Sequence, residues 1–416
     1  MTHVGKKLRH IRKNMRITQE ELADGICNRS YVSQIEKGNV VPSPEILEQL
    51  AKKLNTDLKD LWEEVVNPGF TQVEIQNALR HVVNRIDEND WEIARKWLFK
   101  LNGLQLSPPE QCMYLWAKAE IQRYDKRLED VENLYKQCIE LARGLDNPTP
   151  LIRALNSLGF YYCQELQPVA AVPLLNEARQ LATRFEISGL VYISVLYTSA
   201  MMHGRLEEYY SAIEYYKQAE RLNIAHGTMY KSCQIFMGLA ICYRHLKQYE
   251  EAEKYNFRAL EVLRFLPNPQ LEAAIYNNLG IYYAEINNLS LAEEYLQKAL
   301  ALQRSNFWKN NSSVELAKVY RLQARLEEAA ELCENVLKEN DSEFIAAEAQ
   351  LGLANILNDQ EKVEQALDHL ENALAYFIRE NNKSSMLKCY QALVKISNKG
   401  RFQEKITGLC ETYELL

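Results

Sequence analysis

No run of about twenty uninterrupted apolar residues occurs in the chain, so no membrane-spanning helix is expected. The nine cysteines form no CxxC pair and no Cys/His spacing suited to a metal. They read as reduced, mostly buried thiols of a cytoplasmic protein. A Gly-rich phosphate loop, HExxH and GxSxG are all missing, and the seven histidines are scattered. Neither an enzyme active site nor a cofactor is expected from these motifs. The opening MTHVGKKLRHIRKN is basic but has no apolar core after it, so a secretory signal is not expected either.

What is present is an ordinary folding composition: 416 residues, 47% hydrophobic and 25% charged. The net charge of −7 is unevenly spread. Residues 1–60 carry eleven Lys/Arg against eight Asp/Glu, or +3, which leaves −10 for the remainder. The first sixteen residues hold six basic side chains and no acid. A basic head on an acidic body points to a polyanion contacted by the head alone. A merely solvated helix face is the plainer alternative.

The head is read as residues 1–66, a domain of five short helices. Helix 1, over residues 3–14, has a stripe of Val4, Leu8, Ile11 and Met15, with Lys6, Lys7, Arg9, Arg12 and Lys13 on its other faces. Thr18 and Glu21 form a capping box that opens helix 2. Helix 3 starts near Asn28, buries Val32 and Ile35, and ends at Gly38. Ser43-Pro44 starts helix 4, and Asp57 can cap a fifth helix with Leu58, Leu61 and Trp62. The strings Thr18-Gln19-Glu20-Glu21-Leu22-Ala23 and Ser30-Tyr31-Val32-Ser33-Gln34-Ile35-Glu36-Lys37-Gly38, followed by Pro42-Ser43, resemble the helix-turn-helix family of phage-repressor type. That resemblance implies helix 3 in a DNA major groove. Arg29, Ser30, Ser33 and Gln34 become base-facing candidates, and Gln19 meets a phosphate or an adjacent base. Arg9, Lys13 and Arg16 become phosphate partners, while Glu36 is a structural acid. One such head is a small footprint, so a homodimer or higher homo-oligomer on a palindromic double-stranded operator is expected.

Asn67-Pro68-Gly69 interrupts the helical pattern, and Thr71 with Glu74 opens a new helix. A short linker at 67–71 and a second domain at 72–416 follow. This second part repeats itself. Ala94, Val131, Ala171, Ala212, Ala252, Ala292, Ala329 and Ala366 recur at spacings of 37 to 41, and Lys405 marks a ninth, degenerate unit. A second small or short-chain position lies seven residues further on, at Cys138, Ala178, Ala219, Ala259, Ala299, Val336 and Ala373. This pattern resembles the tetratricopeptide repeat, with units longer than its usual ~34 residues. The fold class is therefore all-α: a five-helix head followed by a right-handed superhelix of about nine such repeats. Its concave wall is lined by the first helix of each unit. Register then selects Asn156, Phe160, Tyr197, Met201, Arg244, Asn277, Lys318, Arg321 and Asn355 among the wall residues. Asn amides pair with peptide units, and Arg or Lys suits a carboxylate. A short linear peptide fits this wall, as does a docked protein.

A repressor-type head on long tetratricopeptide repeats resembles the RRNPP group of Gram-positive quorum-sensing receptors. Asp24-Gly25-Ile26-Cys27-Asn28-Arg29-Ser30 and Val40-Val41-Pro42-Ser43 carry this likeness in the head. The resemblance implies a cytoplasmic transcription regulator with no membrane contact. A re-imported signalling peptide would bind in the groove and reposition the heads. Asn156 and Asn277 are the implied peptide-binding asparagines, with Arg244 supplying charge. Tyr197, Lys318, Arg321 and Asn355 complete the candidate set. One branch of the group dephosphorylates an aspartyl-phosphate on a response regulator through a Gln near a helix start. Gln111 falls near that place, although Pro108-Pro109 stands where acidic residues belong. A DNA-bound scaffold for a protein partner is the third alternative.

Overall fold

The computed structural model describes residues 3–40, 42–56, 71–165, 167–339, 342–380 and 382–397. Among them are 21 helices and no strand. The chain divides into two compact units, residues 1–154 and 155–416.

The first unit begins with the head. Its helices are α1 (His3–Asn14), α2 (Gln19–Ala23), α3 (Arg29–Lys37) and α4 (Pro44–Lys53). Leu8, Leu22, Val32, Ile35, Leu47 and Leu50 are wholly buried and form its core. Each start follows from local chemistry. The Glu21 amide donates to Thr18 Oγ1 at 3.1 Å, and Glu21 Oε2 accepts from the Thr18 amide at 2.6 Å. Asn28 Oδ1 caps α3 through the Tyr31 amide at 2.7 Å. Gly38 ends α3 in the left-handed region at φ 77°. Gly5 has a different reason to be glycine. A Cβ there would lie 2.0 Å from the Ile35 carbonyl oxygen, so α1 and α3 meet at backbone distance.

Two expectations for helix 1 change. Met15 lies past the helix end and is exposed, because Arg16 takes a left-handed turn at φ 57°. Arg12 is not on a solvated face but buried. The fifth helix at Asp57, Leu58, Leu61 and Trp62 lies outside the described residues, as does the 67–71 linker apart from Thr71.

The rest of the first unit comprises α5 (Gln72–Asp87) with α6 (Trp91–Lys100), α7 (Pro108–Tyr124) with α8 (Val131–Ala142), and the start of α9 (Thr149–Gln164). The Thr71–Glu74 capping box opens α5. In the second unit the hairpins continue. α9 pairs with α10 (Pro168–Arg184), α11 (Gly189–Arg205) with α12 (Tyr209–His226), and α13 (Ser232–His245) with α14 (Tyr249–Phe265). Then come α15 (Pro269–Glu285) with α16 (Leu289–Leu302), α17 (Asn306–Leu322) with α18 (Leu326–Lys338), and α19 (Glu343–Asp359) with α20 (Val363–Arg379). The last described helix is α21 (Lys383–Ser397); Lys405 lies beyond the described residues.

The recurring small residues explain why the hairpins close. Ala94, Val131, Ala171, Ala212, Ala252, Ala292, Ala329 and Ala366 all have zero exposure. Seven of the eight occupy the fourth position of the second helix; Val131 is the first residue of α8. Five residues before them the chain turns through left-handed backbone at Asn89, Lys126, Glu207, Lys247, Asn287, Ala324 and Glu361. Twelve residues before them, on the first helix, stand the small residues of the crossing: Ala200, Ala240, Gly280, Ala317 and Ala354 in the second unit. Stacked rings bridge three hairpins at one register: His203 on Tyr215 at 5.1 Å, Tyr243 on Tyr255 at 5.5 Å, and Tyr283 on Tyr295 at 5.4 Å. Successive first helices from α11 to α21 also touch one another directly, so they form an inner layer. All eight described cysteines are free thiols, seven buried and Cys27 half-buried.

Candidate DNA-reading face and candidate ligand wall

The head presents α3 outward. Arg29, Ser30 and Gln34 are exposed and Ser33 is half-buried, while Val32, Ile35 and Glu36 point inward. This helix is held by a buried ion pair. Arg12 Nε meets Glu36 Oε1 at 2.5 Å, and Arg12 Nη2 meets Glu36 Oε2 at 2.9 Å. Arg12 Nη1 also donates to the Ile17 carbonyl at 2.8 Å. Burial pushes the Glu36 carboxyl up, but the hydrogen bonds from Arg12 and Gln19 and the Arg12 charge outweigh it, leaving it below the usual range.

Gln19 is half-buried, and its Nε2 donates to Glu36 Oε2 at 2.7 Å. Its amide N–H thus helps position α3 against α2. Arg9, Lys13 and Arg16 are exposed. The face therefore combines one guanidinium, one amide and two hydroxyls on a fixed helix with a basic fringe on α1. Such a set can hydrogen-bond base edges and attract phosphate together.

The wall residues lie on the first helices of the second unit. Phe160, Met201, Ile241, Ile281, Lys318 and Asn355 share one register and are all half-buried, so the row continues from α9 to α19. Asn156 is half-buried, and its Oδ1 has no hydrogen-bond partner among the described residues. Tyr197 sits between the rings of Phe160 at 6.4 Å and Tyr216 at 6.0 Å, and Lys231 Nζ lies 5.3 Å from its ring centre. Arg244 pairs with Glu285. Asn277 is only 7% exposed, and its Oδ1 accepts from Ser312 Oγ at 2.7 Å.

Lys318, Arg321 and Asn355 are brought together in one cleft of about 270 Å³ between α17, α19 and α21. Lys318 contacts Glu315 at 2.8 Å and Glu348 at 3.3 Å; Arg321 contacts Asp359 at 2.7 Å. Asn355 Nδ2 donates to the Leu351 carbonyl at 2.8 Å. Sequence register missed Lys388, Gln391 and Lys395, which line the same cleft from α21. The small-residue ladder breaks down in that last unit, so it carried no signal for them. Asn156, Tyr197, Arg244 and Asn277 lie in earlier repeats and do not join this cleft.

Gln111 is exposed in the first turn of α7. Its neighbour Glu110 is buried, accepting from Gln72 Nε2 and, at 2.9 Å, from the Ser107 amide. Among the described residues no group of three or more His, Cys, Asp or Glu side chains could hold a metal ion. No described helix is long and apolar enough to cross a membrane.

Comparison with known proteins places both parts of this architecture. Residues 8–61 match the Helix-turn-helix family, and residues 193–223 and 232–305 match the Tetratricopeptide repeat. The transcriptional activator NprA of Geobacillus stearothermophilus is 24% identical over 300 residues, covering 71% of this chain and 70% of that protein. The apo form of the quorum sensor NprR from B. thuringiensis has the same fold, with a TM-score of 0.66, 18% identity, and coverage of 82% of this chain and 98% of that one. NprR in complex with its cognate peptide NprX superposes with a TM-score of 0.58 and 16% identity, over 79% of this chain and 100% of that one. A helix-turn-helix head joined to a long tetratricopeptide array, with these relatives, is consistent with a transcription regulator of the RRNPP group.

Proposed function

We propose that the protein is a peptide-responsive, sequence-specific DNA-binding regulator. Its head at 1–66 reads one half of a palindromic operator, and self-association through the 72–416 repeats sets the distance between two heads. A short linear peptide on the inner wall is the signal, with Asn156, Tyr197, Arg244, Asn277, Lys318, Arg321 and Asn355 as its contacts.

The observation that carries this reading is the α17–α19–α21 cleft. Two cations, Lys318 and Arg321, and the Asn355 amide converge there beside apolar Leu351 and Ile356. A peptide offers carboxylate, amide and apolar groups within a few ångströms, and this lining answers each. The half-buried row extends such a site along the wall. The peptide complex of NprR, a protein of like fold, lends analogy to it.

The test is a thermal-shift screen of the full chain against a library of synthetic short linear peptides, followed by calorimetry on the hits. A peptide that binds the folded state raises the melting temperature with concentration. Lys318→Ala and Arg321→Ala should each weaken the hits by about tenfold or more, as loss of a charge-assisted hydrogen bond does. A library with no hit, or hits untouched by both variants, would remove the peptide from this cleft.

A further inference from the structure

One first helix in the second unit departs from its neighbours at positions that elsewhere are apolar and buried. Seven and five residues before the crossing residue stand Ile193 and Val195 in α11, Cys233 and Ile235 in α13, Ala273 and Ile275 in α15, and Ala347 and Ala349 in α19. In α17 the same places hold Asn310 and Ser312, and Ser313 follows. These three are 5%, 0% and 8% exposed, as buried as the apolar residues they replace.

The polar atoms there are only partly satisfied. Gln303 Nε2 donates to Ser312 Oγ at 2.9 Å, and Ser312 Oγ donates to Asn277 Oδ1 at 2.7 Å. Gln303 Oε1, Asn310 Nδ2 and Asn278 Nδ2 are buried without a partner among the described residues. A buried polar atom left unpaired weakens the contact that holds it. The preceding helix is also shorter than the two second helices before it. α16 has 14 residues, against 18 in α12, 17 in α14 and 13 in α18, and its cap Gln303 is in extended backbone.

We propose that the junction between the α15/α16 hairpin and α17 is the yielding joint of the repeat array, and that the chain Gln303–Ser312–Asn277 ties its state to the wall. Asn277 shares the wall register of Asn156, Tyr197 and Met237. A ligand N–H that bonds Asn277 Oδ1 competes with the Ser312 hydroxyl. Ser312 released from Asn277 loosens Gln303 in turn, and the balance between closed and open junctions moves. The latch part of this proposal rests on the peptide reading above; the joint does not.

Hydrogen exchange on the full chain tests both. In the wild type, amides of residues 300–313 should exchange about tenfold faster than those of the matched residues 263–276. Asn310→Ala with Ser312→Ile, copying Ala273 and Ile275, should remove the difference. Asn277→Ala should speed exchange at 300–313 further and leave 223–236 unchanged. Asn277→Asp, which keeps an acceptor for Ser312, should restore the wild-type rate. Equal protection of 300–313 and 263–276 in the wild type overturns the joint, even if the double variant fails to fold. No response at 300–313 to Asn277→Ala overturns the latch. Absence of any bound peptide would sink the peptide reading and leave these exchange rates standing.

Discussion

Arg12 and Glu36, twenty-four residues apart, meet through two hydrogen bonds in the interior of the head and fasten α1 to α3. The pair is almost fully desolvated, with side-chain exposures of 10% and 2%. Breaking such a pair leaves a buried charge alone, at a cost of about 3–5 kcal/mol. Arg12→Ala should therefore loosen the head by that order and spare the repeats. Hydrogen exchange in urea, followed separately at residues 19–37 and 289–302, distinguishes the two regions.

Acid should have the same target. The folded Glu36 carboxyl titrates below its ordinary value, so its contribution is present above the unfolded value of about 4.3 and is lost as pH falls through the folded one. Head stability should decline in that window. In Glu36→Gln the head should start less stable and lose this part of its acid dependence. An unchanged pH profile in that variant would show that the pair is not the acid-sensitive element.

Base reading and phosphate contact separate by salt. Arg29→Ala with Gln34→Ala should flatten the sequence preference recovered from a random duplex pool, at about 1–3 kcal/mol for each lost base contact. Lys13→Ala should weaken all sequences alike and lower the salt slope by about one. Selection followed by fluorescence titration at two salt concentrations reads both. A preserved preference in the first variant would take α3 out of base recognition.

The hairpin turns carry a cost that glycine would relieve. Ala324 holds φ 61°, a region that disfavours any Cβ by roughly 1–2 kcal/mol. Glycine gives back part of that gain through a freer unfolded chain. Ala324→Gly should still stabilise the array by about 0.5–1 kcal/mol, seen as a higher urea midpoint at constant slope. A lower midpoint would mean that the Ala324 methyl has packing worth more than the backbone strain.

Packing gives the opposite sign at the ladder. Ala292 has zero exposure where α15 and α16 cross. Ala292→Leu adds three carbons to a closed site and should cost about 1–3 kcal/mol or more. Ala292→Ser, nearly equal in volume, should cost less. Calorimetric melting of the two variants ranks them.

The ladder was readable before any coordinates because a small residue is demanded wherever two backbones approach, and the demand recurs at nearly constant spacing. The caps at Thr18 and Thr71 were equally local. Other features depend on partners far away in sequence. Arg12 looks like one more base on a cationic helix until Glu36 arrives from α3. Gly5 gives no sign that Ile35 will press on it. Lys388 and Lys395 come from a unit whose repeat pattern has decayed, and nothing local in Asn310, Ser312 and Ser313 announces the stack that buries them. The half-buried row of the candidate wall was thus legible as a register, while the cleft within it needed the third helix.

The ring pairs His203–Tyr215, Tyr243–Tyr255 and Tyr283–Tyr295 lie inside their hairpins, each joining a first helix to its own second helix. Helices pinned in this way behave as stiff plates. Bending of the array is then shared among the seams between plates, and a seam with weak bonding takes more than its share. A small contact on the inner wall becomes a rotation of everything beyond that seam, with a lever arm set by the number of plates that follow.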